Sequence, residues 1–237
     1  MKPVYFVGAS REDLRELPEA MQETAGFQLF KVQQGKEPDD WKPMPTVGPG
    51  VQELRVRDES GAHQVFYVAK FEEAVYVLHV FQKRSQKTAR PDLELGKSRY
   101  ADLLNLEKGG RSMKRATVTK GSGNIFRDLG FLEERSAELM LKSSLLQALQ
   151  DTIRGRDWKQ VEAAARLGTD QAKVSKLLAG QMAGFSVERL VHFLSLLGQD
   201  VEVTVRRAPR GQRYGTVHTK VSRQSRTVAV SRSEKVS

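Results

Sequence analysis

The stretch from Lys159 to Gly180 constrains the fold of this chain more than any other. Lys159-Gln160-Val161-Glu162-Ala163-Ala164-Ala165-Arg166-Leu167 has the pattern of a short helix. Gly168 closes it, because glycine takes the left-handed conformation that ends a helix at little cost. Thr169-Asp170 then supplies a turn and a cap. Gln171-Ala172-Lys173-Val174-Ser175-Lys176-Leu177-Leu178 reads as a second short helix, ended by Gly180. Ala164 is small enough to let the two helices cross closely, and Val161, Leu167, Val174 and Leu177 are expected to fill the space between them. The spacing predicts a helix-turn-helix unit. In such a unit the second helix enters the major groove. That leaves Gln171, Lys173, Ser175 and Lys176 facing outward. The Gln171 amide suits an adenine edge, and Lys173 suits guanine or phosphate. Gln160 is placed to hold a phosphate.

Around this unit, Glu134–Arg154 carries a helical stripe at Leu139, Leu141, Leu145, Leu146, Leu149 and Ile153. Val201–Val205 reads as a C-terminal edge strand suited to pairing. The predicted domain, residues 123–205, is otherwise all-α.

Residues 1–106 follow a different rhythm. Val4–Val7 predicts a short buried strand. Ser10 and Asp13 predict a capping box that opens a helix. That helix is interrupted at Pro18 and has apolar positions Leu14, Leu17, Met21, Ala25, Leu29 and Val32. Gly35 and Pro38 end it. Three strand-like runs follow at Val51–Arg57, His63–Lys70 and Val75–Phe81, with a last helix from Pro91 to Leu106. The order β-α-α-β-β-β-α predicts a small α+β domain with helices on one face of an antiparallel sheet. Residues 107–122 read as a linker. Lys108-Gly109-Gly110-Arg111-Ser112 is flexible by composition, and Met113-Lys114-Arg115 resembles a translation start, as if two reading frames had been fused.

Charge sharpens this division. The net charge of the 237-residue chain is +10. Residues 1–112 hold 17 basic and 17 acidic side chains, whereas residues 206–237 hold 9 basic and 1 acidic. The tail therefore reads as a mobile basic segment, either solvated or an arm on DNA phosphate. Within the neutral front half, Arg55, Lys83, Arg84, Lys87 and Arg99 are expected near one end of the meander. Cations so placed hold a phosphate and stabilise a pentavalent transition state. RNA cleavage by its own 2′-hydroxyl needs no metal, only groups that take and give a proton.

Other classes are set aside. There is no cysteine, and the four histidines show no metal-ligand spacing, so no metal and no cofactor is expected. His79 reads as a core residue. No apolar run is long enough to cross a membrane, and Met1–Ser10 lacks the pattern of a signal peptide. A cytoplasmic protein is expected.

Several motifs go beyond physical pattern. Glu53-Leu54-Arg55-Val56-Arg57, Val65-Phe66-Tyr67-Val68-Ala69 and Val77-Leu78-His79-Val80-Phe81-Gln82-Lys83-Arg84-Ser85-Gln86-Lys87-Thr88 resemble the phage-derived branch of the RelE/HigB-like toxins. The likeness covers nearly all of residues 2–105, including Asp40-Trp41-Lys42-Pro43. It implies an mRNA endoribonuclease acting at the ribosome, with Arg55, Lys83, Lys87 and Arg99 as the phosphate-binding and proton-transfer residues. One position departs: the family usually has an arginine where this chain has Gln64, beside His63.

Gly123-Asn124-Ile125-Phe126-Arg127-Asp128-Leu129-Gly130 through Arg206 resembles a HigA-like antitoxin of the XRE helix-turn-helix class. Phe185-Ser186-Val187-Glu188-Arg189-Leu190 and Leu197-Gly198-Gln199-Asp200-Val201-Glu202-Val203 add to the likeness. Lys159 and Thr169 depart from the usual threonine and branched apolar residue. The resemblance implies a homodimer on palindromic operator DNA. Together the two likenesses imply a toxin–antitoxin module in one chain, held inactive by a toxin–antitoxin contact within or between chains, with Ile125–Leu149 as the neutralising segment. The alternative is a purely DNA-binding regulator whose toxin-like domain is inert.

Overall fold

The computed structural model describes residues 1–58, 61–83, 87–107, 117–205 and 207. The basic tail and Met113 lie outside the described residues, apart from Arg207. So does Arg84.

The first half forms β1 (Val4–Val7), α1 (Ser10–Arg15), α2 (Glu19–Gln33), β2 (Trp41–Pro43), β3 (Val51–Asp58), β4 (Gly61–Val68), β5 (Val75–Gln82) and α3 (Arg90–Glu107). β6 (Val118–Lys120) follows, then α4 (Ile125–Asp128), α5 (Glu133–Gly155), α6 (Gln160–Leu167), α7 (Gln171–Leu178) and α8 (Val187–Leu196). The fold is α+β, a six-stranded sheet in the order β2-β3-β4-β5-β1-β6 followed by a helical region.

The predicted meander is present as β3, β4 and β5, paired antiparallel. Two features depart from a purely antiparallel sheet with helices on one face. β1 lies parallel to β5, with Val4 opposite Val75 and Phe6 opposite Val77. Helices also cover both faces. Leu54, Val56, Val65, Tyr67, Val75 and Val77 pack in the core that includes α2. Phe66, Val68, Tyr76 and Leu78 pack with Tyr100 and Leu103 of α3. The reason is in the strands themselves. β4 and β5 are apolar at successive positions, so both faces have to be covered.

The helical region does not stand apart. Its core residues, including Phe126, Leu139, Leu146, Leu149 and Ile153, belong to the same buried cluster as α2 and the inner face of the sheet. Residues 118–120, within the stretch read as a linker, add a strand to the free edge of β1, with Tyr5 opposite Lys120 and Val7 opposite Val118.

Three local expectations are corrected. Ser10 is not a cap. It lies in the first turn of α1, and its buried hydroxyl donates to the Val77 carbonyl at 2.9 Å. Val161 does not fill the space between α6 and α7 but is 61% exposed, and Ala163, Ala164, Leu167, Val174 and Leu177 do the filling. Val201–Val205 forms no strand, because none of the sheet's six strands lies beside it, and Val203 and Val205 stand exposed.

Candidate nucleic-acid interface

The turn between α6 and α7 is built as its residues demand. Gly168 has a φ of +60°, and a Cβ there would meet nothing within 4 Å. The glycine is therefore needed for backbone conformation, not for space. The Asp170 carboxylate accepts from the Lys173 backbone N–H at 2.7 Å and caps α7. That hydrogen bond holds its pKa below the ordinary value. At the start of α6, Glu162 Oε2 accepts from the Lys159 N–H at 2.9 Å.

With Val174 and Leu177 turned inward, Gln171, Lys173, Ser175 and Lys176 are all exposed on α7, and Gln160 is half-buried at the head of α6. Lys173 Nζ pairs with Asp170 Oδ2 at 3.1 Å, a contact foreshadowed only by the i, i+3 spacing. Gln160 and Ser175 also line a cleft of about 310 Å³, whose other wall carries Asp40, Arg55 and Arg57.

The second candidate group lies on the α3-facing side of the sheet. Glu53 is fully buried there. Its carboxylate accepts from Arg55 Nε at 3.1 Å and lies 3.4 Å from Lys42 Nζ. Hydrogen bonding fixes the Gln64 amide so that its nitrogen donates to Glu53 Oε2 and its oxygen accepts from Lys83 Nζ, each at 3.1 Å. Arg55 Nη1 also donates to Asp40 Oδ1 at 3.2 Å. Burial alone would lower the Arg55 pKa, but Glu53 and Asp40 outweigh it and raise the pKa.

The structure thus joins Arg55 and Lys83 through Glu53 and Gln64. It places Arg99 in a different group, where Nη1 donates to the Leu78 carbonyl at 2.8 Å and lies 3.5 Å from Asp13. Beside it, His79 Nε2 bonds Asp92 Oδ1 at 2.9 Å, stitching α3 to β5. Lys87 is exposed, three residues before α3. Glu53 and Asp40 were not anticipated at this site. The signal for Glu53 was its position two residues before Arg55, on the same strand face. Among the described residues, no group of three or more His, Cys, Asp or Glu side chains is placed to hold a metal ion, and no helix is long and apolar enough to cross a membrane.

Comparison with known families assigns both parts. Residues 12–101 match the family of phage-derived Gp49-like proteins. Residues 125–206 match a helix-turn-helix domain family. A solved chain described as a candidate XRE family transcriptional regulator is 39% identical, over 37% of this chain and 99% of its own length, with a TM-score of 0.35. The chain joins a Gp49-like domain to an XRE-type helix-turn-helix domain. A search of curated proteins finds no match.

The two domains meet on α2 of the Gp49-like domain. Gly26 is required there by close approach, since a Cβ would lie 2.5 Å from the Phe126 ring. Glu23 pairs with Arg135 of α5. The centre is Asp39, which is 5% exposed. Its carboxylate accepts from Lys31 Nζ at 2.6 Å, Arg154 Nη2 at 2.6 Å, Gln28 Nε2 at 2.8 Å and Gln150 Nε2 at 3.1 Å. Burial pushes this carboxyl up, but Lys31 and the hydrogen-bond donors prevail and hold it below its ordinary range. Gln150 Nε2 also donates to the Leu177 carbonyl at 2.8 Å, which ties the end of α7 to the same network.

Proposed function

We propose that the XRE-type domain binds operator DNA through α6 and α7 and represses transcription, while its docking holds the Gp49-like domain as an inactive mRNA endoribonuclease toxin within one chain. In this reading Gln171, Lys173, Ser175 and Lys176 contact the major groove and Gln160 a phosphate. Arg55, Lys83, Lys87 and Arg99 are the residues that would act on RNA at the ribosome. The domains run over residues 1–106 and 123–205, joined by 107–122. The protein is cytoplasmic and dimerises through the XRE-type domain, with the exposed Val201–Val205 segment as the pairing element.

The observation that carries this reading is the shared core. α4 and α5 pack on α2 with a buried, fully partnered Asp39 between them. They include most of Ile125–Leu149, the segment expected to neutralise. The covalent connection of the two domains also keeps them at an effective concentration of order mM.

The test is expression of residues 1–107 alone and together with residues 117–205 as a separate chain. Growth arrest with mRNA cleavage in the first case, relieved in the second, supports the toxin reading. A soluble 1–107 fragment that leaves growth and mRNA unchanged supports the second reading, a DNA-binding regulator with an inert Gp49-like domain. A specific observation favours that alternative. Gln64 adds no charge where a cation is usual, and Glu53 sits buried against Arg55 and Lys42.

A further inference from the structure

We propose that the Gp49-like domain supplies part of the DNA interface, with Arg57 contacting a backbone phosphate of the duplex held by α6 and α7. The inference rests on the DNA-binding reading above.

Its basis is the cleft between the domains. One wall carries Asp40, Arg55 and Arg57, and the other Gln160, Ser175 and Gln181. Ser175 lies one turn along α7 from Gln171, so the face read as base-contacting runs directly into this cleft. The position of Arg57 is fixed relative to α7. Gln181, three residues past the end of that helix, donates from Nε2 to the Arg57 carbonyl at 3.0 Å. The Arg57 side chain itself is 58% exposed, with its guanidinium 3.6 Å from the half-exposed Asp40 at the mouth of the cleft. A duplex seated on Gln171 and Ser175 carries its phosphates along both rims of a groove about 12 Å wide. Its near strand would therefore run past the cleft mouth. A guanidinium fork suits a phosphate better than any other side chain.

The opposing charges set the balance. Asp40 lies 3.2 Å from Arg55 and 3.6 Å from Arg57, and Glu53 already holds Arg55 from its other side, so Arg57 is the cation that Asp40 competes for at the cleft mouth. Asp39 does not weigh against a phosphate, because it is buried and paired with Lys31 and Arg154. Asp40 therefore restrains the interface, and removing its charge strengthens it.

The experiment uses the full chain and a fluorescent duplex covering the DNA immediately upstream of the coding sequence. Affinity is measured by anisotropy over a salt series. Arg57→Gln is expected to weaken binding and to flatten the plot of log K against log salt by about 0.9, the loss of one phosphate contact. Arg57→Lys, which keeps the charge, retains the slope. Asp40→Asn raises affinity several-fold. Lys97→Gln, on the exposed side of α3, changes neither affinity nor slope. If Gln171→Ala weakens binding while Arg57→Gln and Asp40→Asn leave affinity and slope at the wild-type values, the inference is overturned and the DNA-binding reading stands. If the wild-type chain does not bind the duplex, the DNA-binding reading itself fails. Asp40→Asn acts in the opposite direction to Arg57→Gln, so a folding defect cannot mimic the pair of results.

Discussion

The exposed face of α7 and the polar group on the sheet hold the same kinds of side chain in opposite states. On α7, Gln171, Lys173, Ser175 and Lys176 stand in solvent, and the pairing of Lys173 with Asp170 is itself at the surface. On the sheet, Arg55 is held by Glu53 and Asp40, Lys42 by Glu53, and Lys83 by Gln64. A surface ion pair yields readily to a ligand, because it is worth little to begin with. A pair built around a fully buried carboxylate does not, because its dissolution leaves a charge without a partner. The difference teaches that cationic residues alone do not make a phosphate site. The acids beside them decide whether the charge is available.

The contrast can be broken most strongly from the domain junction. Asp39→Ala leaves Lys31 buried without its anion, and a cost of about 3–5 kcal/mol is expected in urea unfolding. The same group makes acid the weak side. Its carboxyl is held below the ordinary value, so its contribution is complete above about pH 4. That contribution is lost as the pH falls through the lower folded value. Asp39→Asn should flatten the acid limb of a stability–pH curve.

On the open surface, Gln171→Ala removes the bidentate base contact proposed for it. A loss of about 1–3 kcal/mol in DNA affinity is expected, roughly 5- to 150-fold, with an unchanged melting temperature. The smallest effect concerns the closed group. Glu53→Gln leaves Lys42 without its anion and Arg55 with Asp40 alone, but both cations are partly solvated, so about 1–2 kcal/mol of stability is at stake. The variant should bind a single-stranded RNA oligonucleotide more tightly than the wild type. An unchanged RNA affinity would show that Glu53 is not what closes the group.

What was legible in the sequence follows the range of the forces involved. The α6–α7 unit is local: Gly168 and Asp170 act within three residues of themselves, and their roles were readable. The stripe Leu14, Leu17, Met21, Ala25, Leu29 and Val32 correctly marked one face of the α1–α2 segment as buried, and all six residues are. The other face was not readable. Glu23, Gln28 and Lys31 have the look of a solvated side, yet each is at most 4% exposed on α2, covered by elements more than 90 residues away in sequence. The same limit applies to the candidate sites. The exposure of Gln171, Lys173, Ser175 and Lys176 on α7 followed from spacing alone. The role of Glu53 depends on β3 lying beside β4, and that of Arg57 on a neighbour 124 positions later.

The pairing of β6 with β1 has a consequence for the order in which the molecule can come into being. Tyr5 is made 115 residues before its partner Lys120. At about 5–20 residues per second, the edge of β1 waits several seconds for its cover. The polar face of α2 waits longer, until Gln150 and Arg154 of α5 have emerged. The edge of β1 and the polar face of α2 therefore stay uncovered until that part of the back half is made. Each of these surfaces is exposed before the segment that covers it exists.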